Sequence, residues 1–505
     1  MEPTLAKERI LNANTLTSCG HVEGRRMMVE ILEAGMQAAD PYYAMLRVMR
    51  AEGRQLIFGG ELYEPANGPH SGDEVVDLDA TGRIFVFGAG KGVQRAAKAV
   101  EDLLGGRLTG GHVIAKHGEE AILKRIGVTF GAHPVPDEGC VEGCRRIIEM
   151  CEDLQPDDLA ITVIGNGIGS LLTYPVEGVS LNDVQRTVHL FQIEHGGPTV
   201  DLIPIRNHLD RIKGGQFSRY IQPARAIHIL AFHTAPYSAV MTNARYRWLH
   251  TMPDETTHQD AIDALKRWDC WEEAPASVRN YLMHPNPEQQ TLSIAEFEAM
   301  NSRVFCLFPK ELAVVNTAVA KAREMGLRTH MLYNNYTMMG EAAQVGKVIS
   351  NLALHSELDG QPFTPPCCIV GGGELLVTVG KDGGMGGRNQ EFAVSAAVEI
   401  EGCRHTIIGA VDSDGTDGPG HQFVEGREDV PVLAGGIVDG DTVRRSRELG
   451  IDLRDVLKRH DTSPALYQLG DGVETTMAMA LGDLNVALIL GRSTAEETGR
   501  DRDWT

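Results

Sequence analysis

Aromatic residues make up only 6% of the 505 residues, and no stretch reaches the roughly 20 apolar positions that a membrane-spanning helix requires. The first twenty residues, MEPTLAKERILNANTLTSCG, hold no apolar run behind basic residues and so do not resemble a secretory signal. Basic side chains are also scarce. Lys and Arg number 47 against 69 Asp and Glu, a formal charge of −22 that repels nucleic acid and anionic membranes over most of a surface. The nine cysteines are odd in number and lack a paired C-x-x-C framework, which fits reduced thiols in a cytoplasmic protein. Cys140, Cys144 and Cys151 share a helical spacing that suits packing better than metal ligation. Internal repeats and low-complexity tracts are absent. What remains is a cytoplasmic protein with a small-molecule partner, whose anionic ligands would need a locally basic pocket.

Hydrophobic residues make up 42% of the chain, and its length suggests two or three domains. Apolar runs at 83–90, 111–118, 159–167 and 225–232 alternate with helical patterns at 93–106 and 140–154, the mark of a parallel sheet covered by helices. A second series follows, with helices expected at 310–326 and 339–360 and strands at 367–379 and 404–415. The pattern-poor, Trp-containing region 253–300 suggests a boundary, dividing the chain into 1–275 and 276–505.

Ligands of open α/β sheets bind at the carboxyl ends of strands, where this chain repeatedly places glycine. In FVFGAGKGVQ, Gly88, Gly90 and Gly92 precede a helix and Lys91 adds a charge, so the loop is either a plain βα turn or an anion site. It is not a P-loop, and Val93 stands where a dinucleotide fingerprint needs its third glycine. VIGNGIGSLL repeats the arrangement through Gly165 and Gly167, with a helix start expected near Ser170. IRNHLDRIKGG concentrates Arg206, His208, Arg211 and Lys213, a solvated face or a basic well for an anion.

The second half carries GGGE, ending at Glu374, and GGMGGRNQE, spanning Gly383 to Glu391 and flanking an expected β-hairpin. Glycine there permits unusual backbone angles or close approach to the main chain, so the stretch is a turn or an anion cradle. DSDGTDGP follows, with Asp412, Asp414 and Asp417. An EF-hand is excluded, because Asp417 and Phe423 occupy the positions that need glycine and glutamate. The three aspartates could hold Mg²⁺ or form a polar turn.

Together GAGK (88–91), HPVPDE (133–138), IRNHLDRIKGG (205–215), GEAAQVG (340–346), GGGELLVTV (371–379), GGRNQE (386–391) and DGTDGP (414–419) resemble the glycerate 2-kinases with a C-terminal MOFRL domain, some members of which carry a hydroxypyruvate reductase label. The resemblance runs from about 28 to 490, with the MOFRL region at about 367–490. It implies two α/β domains, the first Rossmann-like, with a cleft between them, and phosphoryl transfer from ATP with Mg²⁺ to a small hydroxy acid. Lys91 matches the family's lysine near the active site and Arg388 the arginine of its G-G-R-N-Q-E segment, so that Arg388 would grip phosphate or carboxylate in the glycine clearing. On this reading Gly88, Gly90, Gly165, Gly167, Gly386, Gly387 and Asn389 line the nucleotide. Arg206, Lys213, Glu374 and Glu391 face the substrate, and Asp412, Asp414 and Asp417 lie near metal.

The chain departs from the family in three places. The usual serine–aspartate and glycine–aspartate pairs are replaced by ILAFHTAPYS (229–238), which has no carboxylate. S-G-G-G-S-A-L-L becomes GNGIGSLL (165–172), with Gly165 and Gly169 in place of two serines, and a T-G-T-N segment is replaced within 475–486. Two enzyme classes therefore stay open: a divergent kinase of glycerate or a related sugar acid, with His208 or His233 as base, or a non-kinase isomerase, lyase or reductase on the same scaffold. A binding protein without activity is the third reading, and a homodimer is possible.

Overall fold

Strands form where β-branched and aromatic runs lie between glycines, and the longest such runs are buried on both faces. In the computed structural model, which describes residues 4–379, 383–422, 424–479 and 481–499, they build two six-stranded sheets. Phe423 and Ala480 lie outside the described residues.

The first sheet comprises β1 (Ile84–Ala89), β2 (Gly110–Lys116), β3 (Gly127–Gly131), β4 (Leu159–Ile164), β5 (Arg225–His233) and β6 (Ser302–Phe308), in the order β3-β2-β1-β4-β5-β6. Every pairing is parallel. All six residues of β1 and all six of β4 are buried, as a sheet covered on both faces demands. Helices Val93–Leu104 and Glu138–Cys151 follow β1 and β3, the latter burying Cys140, Cys144 and Cys151 against the sheet. A satellite core forms where helices Leu181–His189, Thr199–His208, His258–Arg267 and Ala276–Met283 meet through Val188, Leu202, Ile205, Leu265 and Val278. A small antiparallel sheet of Met49–Glu52, Gln55–Phe58 and Glu74–Asp77 completes this unit.

The second sheet comprises β7 (Arg328–Glu341), β8 (Cys367–Leu376), β9 (Thr406–Asp412), β10 (Gly435–Asp439), β11 (Gly472–Val473) and β12 (Asp483–Ile489), in the order β7-β8-β12-β9-β10-β11. Only β7 and β8 run parallel, so this α/β unit has a mixed sheet. The hairpin expected between GGGE and GGMGGRNQE includes residues 380–382, which lie outside the described residues; among the described residues no strand follows Leu376 until Thr406. β8 pairs with β7 and β12, and the segment from Arg388 enters a helix, Arg388–Glu399.

The boundary falls later than the expected 275/276. One unit holds Met1–Leu5 and Asp40–Pro309, the other Ala6–Ala39 and Lys310–Thr505. The region 253–300 supplies helices of the satellite core and leads into β6, which pairs with β5, so it cannot separate two domains. Helix Val22–Ala38 belongs to the second unit because Gly24 and Gly409 let it lie against Ile407 and Met28. Arg25 is buried there between Asp439 (2.6 Å) and Asp471 (2.8 Å).

His228, fully buried in β5, hydrogen-bonds with Thr162 Oγ1 at 2.9 Å and Ser218 Oγ at 3.3 Å, and burial pushes its pKa down to about 3. The unfolded chain protonates the same ring near pH 6.5, so below that pH it binds more protons than the folded chain. Stability should therefore fall as pH drops from about 6.5 towards 3. His228→Gln should flatten that slope in urea melts taken across the range. An unchanged slope would assign the acid sensitivity elsewhere.

Candidate functional site

The first sheet changes direction between β1 and β4, and a sheet of this order binds ligands beyond the carboxyl ends of the strands at that point. The two loops that emerge there are locked together. A Cβ on Gly88 would lie 2.3 Å from the Val163 carbonyl oxygen, and one on Gly90, at φ +138°, would lie 2.6 Å from Gly165 Cα. The Lys91 N–H donates to the Asn166 carbonyl at 2.8 Å and the Gly165 N–H to the Ala89 carbonyl at 2.9 Å. Glycine at 88 and 90 thus admits the neighbouring loop rather than a ligand.

The helix start beyond Lys91 is also taken. The Gly92 N–H donates to Glu119 Oε1 at 3.2 Å, so a protein carboxylate stands where the sequence suggested a phosphate. Burial raises the Glu119 pKa.

A basic cluster lies one turn further on. Gly167, at φ +80°, precedes the short helix Ile168–Leu171. A Cβ there would be 3.1 Å from His133 Cδ2 and 3.4 Å from Lys91 Cγ, and a Cβ on Gly169 would be 3.0 Å from Arg206 Nη1. Three basic side chains from separate elements therefore surround the two glycines of one turn. His133 was not selected from the sequence, because β3, whose end delivers it, was not recognised. Arg206 comes from helix Thr199–His208, and burial lowers its pKa to about 10.

Other candidates from this unit are committed elsewhere. Lys213 is buried, with Nζ donating to Asp210 Oδ2 at 2.5 Å and Thr173 Oγ1 at 2.9 Å, an internal ion pair rather than a substrate ligand. His208 is buried in the satellite core beside His258, ring centroids 4.3 Å apart, with Nε2 3.2 Å from Thr256 Oγ1. Its pKa is lowered by burial, which makes it a poor base. His233 ends β5 with Nδ1 3.3 Å from the Phe308 carbonyl. Phe232, in the segment that lacks the family's carboxylates, is buried against Tyr246, ring centroids 5.0 Å apart.

The second unit answers the glycine clearing differently from expectation. A Cβ on Gly386 would meet Thr462 Oγ1 at 2.4 Å, and one on Gly387 would meet the Asp417 backbone at 2.4 Å. Neighbouring loops of the protein fill the space expected for an anion. Arg388 is likewise engaged: Nε donates to Asp483 Oδ2 at 2.5 Å, and Nη2 to Asp483 Oδ1 and Asp412 Oδ2, both at 2.8 Å, with Glu374 3.7 Å away. Its planar fork grips protein carboxylates instead of a ligand. Burial pushes the Asp483 carboxyl up to about 6, despite the arginine beside it.

Asn389 donates its N–H and Nδ2 to Asp417 Oδ1, each at 3.1 Å, and the Gln390 N–H donates to Asp417 Oδ2 at 2.9 Å, so Asp417 satisfies the first amides of helix Arg388–Glu399. Asp412 and Asp414 accept backbone N–H groups two residues on, at 3.0 and 2.7 Å. The Asp412–Asp414–Asp417 loop is thus a polar turn and helix cap. Among the described residues no three His, Cys, Asp or Glu side chains converge on a metal site, so these aspartates do not fit Mg²⁺ as a set. Glu391 is buried against His460 Nδ1 at 2.5 Å, away from a substrate role.

Comparison with known proteins decides the lineage. Residues 27–283 match a family model described as a domain of unknown function (DUF4147), and 367–480 match the MOFRL family. The glycerate 2-kinase of Pyrococcus horikoshii is 30% identical over 447 residues, 88% of this chain and 92% of that protein. The chain belongs to the glycerate 2-kinase family. A glycerate kinase crystal structure from Thermotoga maritima has a TM-score of 0.68 at 26% identity, covering 92% of this chain and 99% of its own. An Agrobacterium vitis relative bearing a hydroxypyruvate reductase name is 28% identical over 472 residues, 93% of this chain and 95% of that protein, so both names occur among relatives of this family member.

Gly387→Ala should cost the second unit about 1–3 kcal/mol, because the added methyl would meet both the backbone and the carboxyl carbon of Asp417. Urea melting checks this. A variant as stable as the parent would reopen the clearing as ligand space.

Proposed function

We propose that the protein is a cytoplasmic enzyme that transfers the γ-phosphoryl of ATP to a hydroxyl of glycerate or a closely related hydroxy acid. The convergence of Lys91, His133 and Arg206 on the Gly167–Gly169 turn, at the carboxyl edge of a parallel sheet, carries this reading. Phosphoryl transfer asks a protein chiefly to position its substrates and to neutralise charge spread over the transferring group. A basic turn in a chain of net charge −22 suits that task, and family membership supplies the reaction class.

Lys91 is the proposed phosphate contact. Its backbone is fixed by the bond to Asn166, and its side chain passes beside Gly167 at Cγ. Mg²⁺ would accompany the phosphates of the nucleotide, a common mode for this ion, since the Asp412 loop is closed on itself. His233, at the end of β5, is the remaining histidine of the original base candidates.

Release of ADP on adding D-glycerate to protein and Mg·ATP, read by a coupled assay, tests the proposal. Lys91→Ala should lower kcat/KM by about 10²–10³ with the melting temperature nearly unchanged. Turnover of a hydroxy acid without nucleotide would instead establish the non-kinase reading.

A further inference from the structure

Beside the basic turn, at the same edge of the first sheet, a histidine is paired with an aspartate. His117 Nε2 lies 2.7 Å from Asp137 Oδ2. An ionised carboxylate only accepts hydrogen bonds, so Nε2 carries the ring's proton and Nδ1 its lone pair. Among the described residues Nδ1 has no hydrogen-bond partner, and the side chain is 56% exposed. This is the arrangement of an oriented base: one nitrogen held by an acid, the other left for a substrate proton.

The strand order places the pair beside Lys91 and His133. His117 follows β2, which lies between β1, ahead of Lys91, and β3, ahead of His133. In the register Ile114 faces Ala89 and Lys116 faces Gly131, and neighbouring strands are about 4.8 Å apart. Lys91 and His133 both reach the turn at Gly167, beyond β4, so the residues after β3 lean across the ends of β2 and β1. Hydrogen bonds fix the three loops to one another. The His117 N–H donates to the Gly131 carbonyl at 3.0 Å, and Asp137 Oδ1 accepts the N–H groups of Ala132 at 3.1 Å and Cys140 at 3.2 Å. Glu119, two residues beyond His117, accepts from the Gly92 and Lys116 N–H groups, both at 3.2 Å, and so ties this loop to that of Lys91.

We propose that His117 is the general base of the phosphorylation proposed above, on which this assignment rests, and that Asp137 is its positioning residue. Nδ1 takes the proton of the acceptor hydroxyl as that oxygen attacks the γ-phosphorus. The bond from phosphorus to the bridging oxygen breaks, ADP leaves with the electron pair, and the imidazolium returns its proton to water. Asp137 holds the tautomer and stabilises the imidazolium, which the neutral Phe308 carbonyl beside His233 Nδ1 does less well. The pair also brings a carboxylate from beyond β3, where the segment 229–238 of β5 and its loop has none.

Steady-state kinetics with D-glycerate and Mg·ATP test the base. His117→Ala should lower kcat about 10²-fold while both KM values stay within about twofold, and added imidazole should restore turnover in proportion to its concentration. His117→Gln should show the same loss without the space for rescue. An exposed ion pair contributes little to stability, so these variants should fold. Asp137→Asn keeps the Oδ1 that caps helix Glu138–Cys151 but favours the other tautomer; it should lower kcat in the parent and cost nothing further in His117→Ala. If Asp137→Asn does not fold, rescue by imidazole decides alone. Unchanged kcat in both His117 variants, a loss that imidazole leaves untouched, or an Asp137→Asn loss that persists in the double variant would overturn the assignment and leave the kinase standing. A parent that releases no ADP would instead refute the kinase, and the base with it.

Discussion

The close passage of two glycine-bearing loops over the carboxyl edge of the first sheet is the constraint from which the site follows. Gly88 and Gly90 lie so near Val163 and Gly165 that no side chain fits between the loops. That contact fixes the Lys91 backbone against Asn166 and sets the turn at Gly167, around which His133 and Arg206 gather. A rigid pair of loops gathers the basic groups about one turn. Glu119, just after β2, is turned onto the Gly92 amide.

The second unit solves the opposite problem. There the arginine is surrounded by acids: Asp483, Asp412 and Glu374 face Arg388, and Asp417 closes the amides at the start of its helix. A buried ion network of this kind is demanding rather than strongly stabilising, because removing any one partner leaves a charge out of water. It specifies one arrangement of β9, β12 and helix Arg388–Glu399, and the glycines at 386 and 387 let the loops that complete it come within contact.

Much of this was legible in the sequence where periodicity is strong. The runs at 83–90, 111–118, 159–167 and 225–232 declare themselves because strands buried on both faces are almost purely apolar, and strands form within or beside each of them. β3 escaped notice because Gly127–Gly131 is half exposed and short, and with it went the significance of His133. β6 was hidden behind an acidic, helical stretch, which moved the boundary. Glycine-rich segments were the most ambiguous. Sequence shows that side chains have been cleared but not for whom, and at 386–387 the guest is the protein itself. Arg206 was selected for its charge, but its place beside Gly169 is a property of three dimensions alone.

The second unit is discontinuous: helix Val22–Ala38 precedes the first unit in the chain, while the sheet it covers follows it. During synthesis this helix emerges some four hundred residues before Asp439 and Asp471, the acids that receive Arg25. Its apolar face, with Met28, Ile31 and Leu32, has to wait without its permanent cover while the first unit is completed. No single cut of the chain can release both units whole, and a fragment beginning at Lys310 would lack both the helix and the arginine. The discontinuity makes completion of the second unit conditional on the whole chain being present.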